Sequence, residues 1–305
     1  MKHVVGVDVG GTNIKLGLVH PSGKVISRTS LPTAGFVAHR NHLISAVSRS
    51  ILDLIRQTGL NKKDIAGIGV GLPGLVDHAK GLVRFLPNIP GWRNVSLKTI
   101  LMRSTHLPVY IDNDVKLITL AEWKFGAGRG MDNIICITLG TGVGSGLILN
   151  GQLYRGQGNA AGELGHMPLN ERGPQCNCGG FGCLEAYVGN RRLVARANQI
   201  TGRRDMTIEA MHTLARAGNT KALAFWAEAA THLGNGLTGA VNLLNPSRII
   251  IGGGVSNNHP FLFKTMMTVI RRRAMMTQSS MVKIVRAKLG DDAGIIGAQV
   301  LVHNA

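Results

Sequence analysis

The chain has 305 residues and a mass of 32.5 kDa, enough for one large or two ordinary domains with a sizeable core and no need of disulfide or metal staples. Its 44% hydrophobic content and mean hydropathy of +0.13 exclude a disordered chain. Its 41 glycines follow no Gly-X-Y period, and no run of 18 apolar residues offers a membrane span. Lys and Arg number 34 against 16 Asp and Glu, a net charge of +18, an excess that can mark a polyanionic partner. Here the basic residues are scattered, with Arg203-Arg204 and Arg271-Arg272-Arg273 the densest clusters, and aromatics make up 4%, little material for base stacking. The expectation is a basic surface with no specific nucleic-acid partner and no membrane partner. Asp8 and Gly10-Gly11 stand where a signal peptide would carry its apolar run, so a cytoplasmic location is expected.

In chain order, Val4 to Val9 and Ile14 to Val19 read as strands joined by Gly10-Gly11-Thr12, with a third strand from Lys24 to Leu31. His39 to Thr58 is a helix with Leu43, Val47, Ile51, Leu54 and Ile55 on one stripe, ended by Gly59. A strand from Ile65 to Gly71 runs into Leu72-Pro73-Gly74. A short helix, Leu97 to Ser104, precedes a buried strand, Val109 to Ile111, and a helix from Asn113 to Phe125. The pattern then restarts. Strands Ile134 to Leu139 and Val143 to Leu149 flank Gly140-Thr141-Gly142, so ICITLGTGVGSGLIL echoes VGVDVGGTNIKLGLV about 130 residues earlier and implies two related halves. Helices follow at Arg191 to Gln199, Thr207 to Ala217 and Lys221 to Leu244. A strand, Arg248 to Ile251, enters Gly252-Gly253-Gly254. Then come a helix from Phe261 to Met275, a strand from Lys283 to Arg286 and a helix from Asp291 to Val302. Alternating strands and helices make the chain α/β.

Three glycine-rich turns each follow an apolar strand: Gly10-Gly11-Thr12, Gly140 to Gly144, and Gly252 to Gly254. Glycine lets backbone N–H groups approach a phosphate, and threonine hydroxyls add donors. None matches the G-x-x-x-x-G-K-[ST] loop or a clean G-x-G-x-x-G fingerprint, so a nucleotide must be held in another way. Asp8, at a strand end beside the first turn, is placed to hold Mg²⁺ directly or through water, or to cap the turn. In Ile111-Asp112-Asn113-Asp114, Asn113 or an Asp can cap the following helix, or the carboxylates can meet a ligand and accept a proton from an alcohol. His166, Cys176, Cys178 and Cys183 are four N/S ligands with C-x-C and C-x4-C spacing, which suits a closed, structural tetrahedral zinc site. Glu163 and Glu185 flank this knot in a chain with few acids, which favours ligand binding. Cys136, alone in an apolar strand, is expected to be a buried thiol.

DVGGT at 8–12, LPG at 72–74, LPNIPGW at 86–92, DNDVKLITLAE at 112–122, GTGVGSG at 140–146, AGELGHMP at 161–168, CNCGGFGCLE at 176–185 and IGGGVS at 251–256 together resemble the ROK family of repressors, open-reading-frame proteins and sugar kinases. The resemblance implies an actin-like ATPase (ribonuclease H-like) fold, with two domains around a nucleotide and sugar cleft. The domains are expected at 1–113 plus 291–305, with the first phosphate motif, and at 114–290, with the second motif, the zinc knot and the nucleoside motif. The implied function is ATP-dependent phosphorylation of a hexose, glucose first, with N-acetylglucosamine or N-acetylmannosamine kinase or a non-catalytic sugar sensor as alternatives. The implied cofactors are ATP, Mg²⁺ and structural Zn²⁺, and the implied assembly is a homodimer. By the same resemblance Asp114 is the base, and Gly74, Asn113, Asp114, Glu163, His166 and Glu185 bind the sugar. Asp8, Gly10, Gly11, Thr12, Lys15, Thr141, Gly142 and Gly252 to Gly254 bind nucleotide and metal. His166 would serve twice, on zinc through one nitrogen and toward the sugar with its other edge. Two departures stand out. Lys116 occupies a position where the family usually has Asn, and, with the DVGGT-like motif starting at Asp8, the winged helix-turn-helix that precedes it in the family's repressors is not expected.

Overall fold

The structure is a computed structural model that describes residues 2–36, 40–86 and 91–304. The chain forms two compact units: Met1–Gly130, Leu153–Ala161 and Lys288–Ala305 make one, and Met131–Gln152 with Gly162–Ala287 make the other.

In the first unit, β1 (His3–Val9), β2 (Asn13–Val19) and β3 (Val25–Pro32) form an antiparallel meander. Helix α1 (Arg40–Gln57) buries Leu43, Val47, Ile51, Leu54 and Ile55, the stripe legible in the sequence. Strand β4 (Ile65–Leu72) lies parallel to β1. A small antiparallel sheet follows, made of β5 (Leu75–Asp77), β6 (Leu82–Phe85) and β7 (Arg93–Val95). Then come α2 (Leu97–Thr105), β8 (Val109–Asn113), which is parallel to β4, and α3 (Asp114–Lys124). Part of the LPNIPGW motif, residues 87–90, lies outside the described residues, as does His39. Leu86 and Trp92 at the motif's ends are buried.

The second unit begins with the antiparallel pair β9 (Ile134–Leu139) and β10 (Val143–Leu149); of the short strand β11 (Gln152–Tyr154), which follows β10 at the edge of the sheet, only Gln152 is counted in this unit. After the cysteine segment come α4 (Glu185–Val188), α5 (Asn190–Thr201), α6 (Ile208–Arg216) and the long α7 (Thr220–Leu244). Strand β12 (Arg248–Gly252) is parallel to β9, and after α8 (His259–Arg273) and α9 (Met276–Met281), β13 (Lys283–Arg286) is parallel to β12. Helix α10 (Ala293–His303) closes the described chain in the first unit. The two five-stranded sheets read β3-β2-β1-β4-β8 and β11-β10-β9-β12-β13. They share one strand order, so the repeated strand–turn–strand signature is a true architectural duplication.

The boundary between units falls after Gly130, not at 113, and the first unit regains the chain at Lys288. Helix α3 was expected to open the second domain. It belongs to the first because it packs against α10 and β4. Every residue of α10 from Ala293 to Val302 is buried. The helix lies so close to the first sheet that a Cβ on Gly69 of β4 would stand 2.6 Å from the Ala298 Cβ. Only a glycine at that position leaves space for the helix. No helix among the described residues is long and apolar enough to cross a membrane.

Candidate active site

The first unit collects one set of the expected residues. Asp8 sits near the end of β1, paired with Lys15 across the hairpin and with Gly71 of β4. Between the strands, Gly10 N–H donates to the Asn13 carbonyl at 3.0 Å, and the Thr33 hydroxyl donates to the Gly10 carbonyl at 2.8 Å. These bonds fix the turn and leave Gly11 and Thr12 exposed. Lys15 Nζ donates to the Asp291 carbonyl at 3.3 Å, which holds the ammonium beside the turn. Burial, and after it the charge of Asp114, raises the Asp8 carboxyl to about 7, with Lys15 opposing. A Cβ on Gly294 would come within 2.5 Å of Asp8 Oδ2, so the first turn of α10 approaches this carboxylate as closely as a backbone can.

Asn113 is the N-cap of α3: its Oδ1 accepts from the Val115 and Lys116 N–H groups, and its Nδ2 donates to the Gly74 and Leu72 carbonyls. Gly74, at φ +85°, gives the Leu-Pro-Gly turn the shape that meets this amide. Asp114 opens α3, and its Cα lies near Gly71, the residue of β4 opposite Asp8. Asp8 and Asp114 thus flank one strand end, where a ligand of an open parallel sheet is met.

The second unit collects the other set. Gly140-Thr141-Gly142 turns β9 into β10, with Gly140 N–H donating to the Gly142 carbonyl at 3.0 Å and Thr141 exposed. Glu185, at the start of α4, accepts the Val143 N–H through Oε2 at 2.9 Å, a tie between the zinc segment and the second turn that no spacing in the sequence reveals. Gly252 ends β12, and the Ser256 N–H and hydroxyl both donate to the Gly253 carbonyl, setting the backbone of the third turn.

His166, Cys176, Cys178 and Cys183 bring one ligand atom each within 4.8 Å of the others. Cys176 Sγ lies 3.7 Å from His166 Nδ1, and Cys178 Sγ lies 3.7 Å from Cys183 Sγ. Zn–S bonds of about 2.3 Å give a tetrahedron with edges of about 3.8 Å, so the donor set fits zinc in both chemistry and size. Burial and the neighbouring thiols push Cys183 up to about 12, whereas the Gly180 N–H holds Cys178 below its usual range. A dication among them would favour the thiolates. The backbone of the knot is closed by Cys176 N–H to Gly180 O at 2.8 Å and by the bridges Pro168–Cys183 and Gln175–Phe181. With Nδ1 toward the sulfurs, His166 turns Nε2 toward Glu163 Oε2, 3.9 Å away. Cys136 is fully buried in β9 and is not part of this cluster.

A model of the ROK family matches residues 4–305. The chain belongs to the ROK family. Among its relatives, a glucokinase of Thermotoga maritima is 33% identical over 98% of this chain and 96% of its own length. Of solved ROK structures, a hexokinase from Thermus thermophilus matches with a TM-score of 0.85 at 32% identity, covering 99% of this chain and 98% of that one. A ROK glucokinase from Streptomyces griseus, in complex with glucose and AMPPNP, matches with a TM-score of 0.84 at 32% identity over 99% of this chain and all of that one. The duplicated sheets are those of the actin-like ATPase fold of ROK sugar kinases.

Proposed function

We propose that the chain is an ATP-dependent hexose kinase with glucose as its acceptor and glucose 6-phosphate as its product. The observation that carries this reading is the pair Asp8 and Asp114 flanking the end of β4, one beside a Gly-Thr turn and the other opening a helix. Asp114 accepts the proton of the hexose hydroxyl as that oxygen attacks the γ-phosphorus, and the bond to the ADP oxygen breaks. Gly74, Asn113, Glu163, His166 and Glu185 hold the sugar hydroxyls. Gly10, Gly11, Thr12, Lys15, Thr141 and Gly142 hold phosphate oxygens, and Gly252, Gly253 and Gly254 approach the nucleoside. Asp8 is the residue that would hold Mg²⁺, which when bound neutralises charge on the polyphosphate. His166 and the three cysteines would hold Zn²⁺, which supplies a closed structural centre and keeps the segment carrying Glu163 and Glu185 rigid.

A coupled ADP-release assay over glucose, N-acetylglucosamine and N-acetylmannosamine tests the reading. Glucose is expected to give the highest kcat/KM. Faster turnover of an N-acetyl sugar would move the acceptor assignment, and sugar binding without ADP release would make the protein a sensor. A cytoplasmic homodimer belongs to the same reading, and sedimentation at micromolar concentration tests the stoichiometry.

A further inference from the structure

Asp112 is fully buried. Its Oδ2 accepts from Arg155 Nε at 2.8 Å, its Oδ1 accepts the Asn113 N–H at 2.8 Å, and His78 Nδ1 stands 3.8 Å away. Lys116, 4% exposed, donates from Nζ to the Asn159 carbonyl. Two charged side chains that bracket Asn113-Asp114 in sequence therefore both grip residues 153–161, which the chain reaches only after passing through β9 and β10. The gripped segment is itself compact. Ala161 N–H donates to the Arg155 carbonyl at 3.0 Å, and Asn159 takes a left-handed φ of 60° that turns its carbonyl. Burying an ammonium and a carboxylate is costly unless each meets a partner, and an apolar chain of equal length would fill the same space. What the charges add is direction, because each bond specifies where one atom of the segment lies.

Resting on the kinase reading, we propose that Arg155 and Lys116 are positioning residues of the phosphotransfer site. They lock residues 153–161 onto the β8–α3 corner and so fix the backbone from which Asp114 reaches the hexose. The pathway is short. Arg155 holds Asp112, Asp112 holds the Asn113 N–H, and Asn113 caps the turn of helix that begins with Asp114. The same segment continues through Ala161–Gly162 into Glu163.

The test uses Lys116→Met, Arg155→Gln and the conservative Arg155→Lys in the full chain. Hydrogen exchange over 153–161, kcat and KM for glucose and ATP, and thermal stability are measured on each. Lys116→Met and Arg155→Gln are expected to raise exchange over 153–161 about tenfold with little change elsewhere. Misplacement of the base is expected to lower kcat on the order of 10- to 100-fold while KM for ATP stays near wild type. Arg155→Lys restores most of kcat. Unchanged exchange over 153–161 overturns the proposal, as does faster exchange with unaltered kcat, which would leave the grip purely structural. If Lys116→Met does not fold, the partly exposed Arg155 carries the same test. If the wild-type chain phosphorylates no hexose, the kinase reading has failed. The grip is then judged by exchange together with calorimetric glucose affinity, expected to weaken about tenfold in Arg155→Gln, and an unchanged affinity overturns it.

Discussion

Leu289 donates its backbone N–H to Glu122 Oε1 at 2.8 Å, across 167 positions of sequence. Lys288 N–H donates to the same oxygen, and Ala127 N–H to Oε2, each at 2.8 Å, so a fully buried carboxylate near the end of α3 is held by three main-chain donors. It ties together two places where the chain passes between units, after Gly130 and before Lys288. Glu122→Gln would turn an amide against one of these donors. A loss of about 2–4 kcal/mol in unfolding free energy is expected, from a buried N–H left facing a donor. Chemical denaturation measures it, and a change within error would mean that the three bonds are replaceable.

Asp8 carries a pH signature. An aspartate in the unfolded chain titrates near 3.8, and burial raises the folded value to about 7. Between these values the unfolded chain releases a proton that the native state keeps. The contribution of Asp8 to stability is therefore full below about 4, falls as pH rises toward 7 and is flat above. Three pH units correspond to roughly 4 kcal/mol as an upper bound. Asp8→Asn cannot ionise, so in metal-free protein at pH 8 its Tm is expected to rise by roughly 5 °C or more. Phosphorylation should be lost in the same variant. A lower Tm would show that the carboxylate is a net stabiliser.

Asp114→Asn keeps the size of the side chain and removes the proton acceptor. General-base assistance contributes about 10²–10⁴-fold, so kcat is expected to fall by at least that much while calorimetric glucose binding persists. Near-normal kcat rules the base assignment out.

The cysteine knot is expected to hold one Zn²⁺ per chain. Metal analysis of protein purified without chelator, alongside Cys183→Ser, checks this. The substitution removes one ligand, so metal content should fall and KM for glucose should rise, because Glu163 and Glu185 sit on the same segment as the knot. Absence of metal from the wild type defeats the assignment.

The donor is tested by offering ATP and long-chain polyphosphate separately, with glucose and Mg²⁺ at matched phosphate concentration. ATP is expected to give the higher kcat/KM. If polyphosphate reacts faster, the +18 charge is a donor-guiding feature and not merely a surface composition. Binding to random DNA should be weak and should vanish at moderate salt.

The duplicated core was legible because each hairpin has a predominantly apolar strand on either side of a Gly-Thr turn, a local signal that survives in isolation. The cysteine knot was legible for the same reason, with three of its four ligands within eight residues. Strands β5, β6 and β7, of three or four residues, are too short to display a period. The unit boundary was misplaced because α3 owes its allegiance to α10, nearly two hundred residues later, and a linear pattern carries no trace of such packing. Asn113 was readable as a cap and as a sugar ligand. The geometry shows the cap, and its Nδ2 on the Gly74 carbonyl links the two turns that the sequence left separate. The bonds Arg155–Asp112 and Glu122–Leu289 had no signal at all, since nothing about a lone Arg or Glu announces a partner 43 or 167 positions away.

The burial of α10 against Gly69 and its neighbours has a consequence for synthesis. At ribosomal elongation rates of about 5–20 residues per second, roughly 10 to 45 s separate the emergence of Leu72 from that of Ala293. Throughout that interval the first sheet lacks the helix that covers it, and by its end every residue of the second unit has been delivered. The second unit can thus finish before the first, against the usual N-to-C order. During that wait the nascent first sheet presents an open apolar face, the kind of surface on which molecular chaperones act.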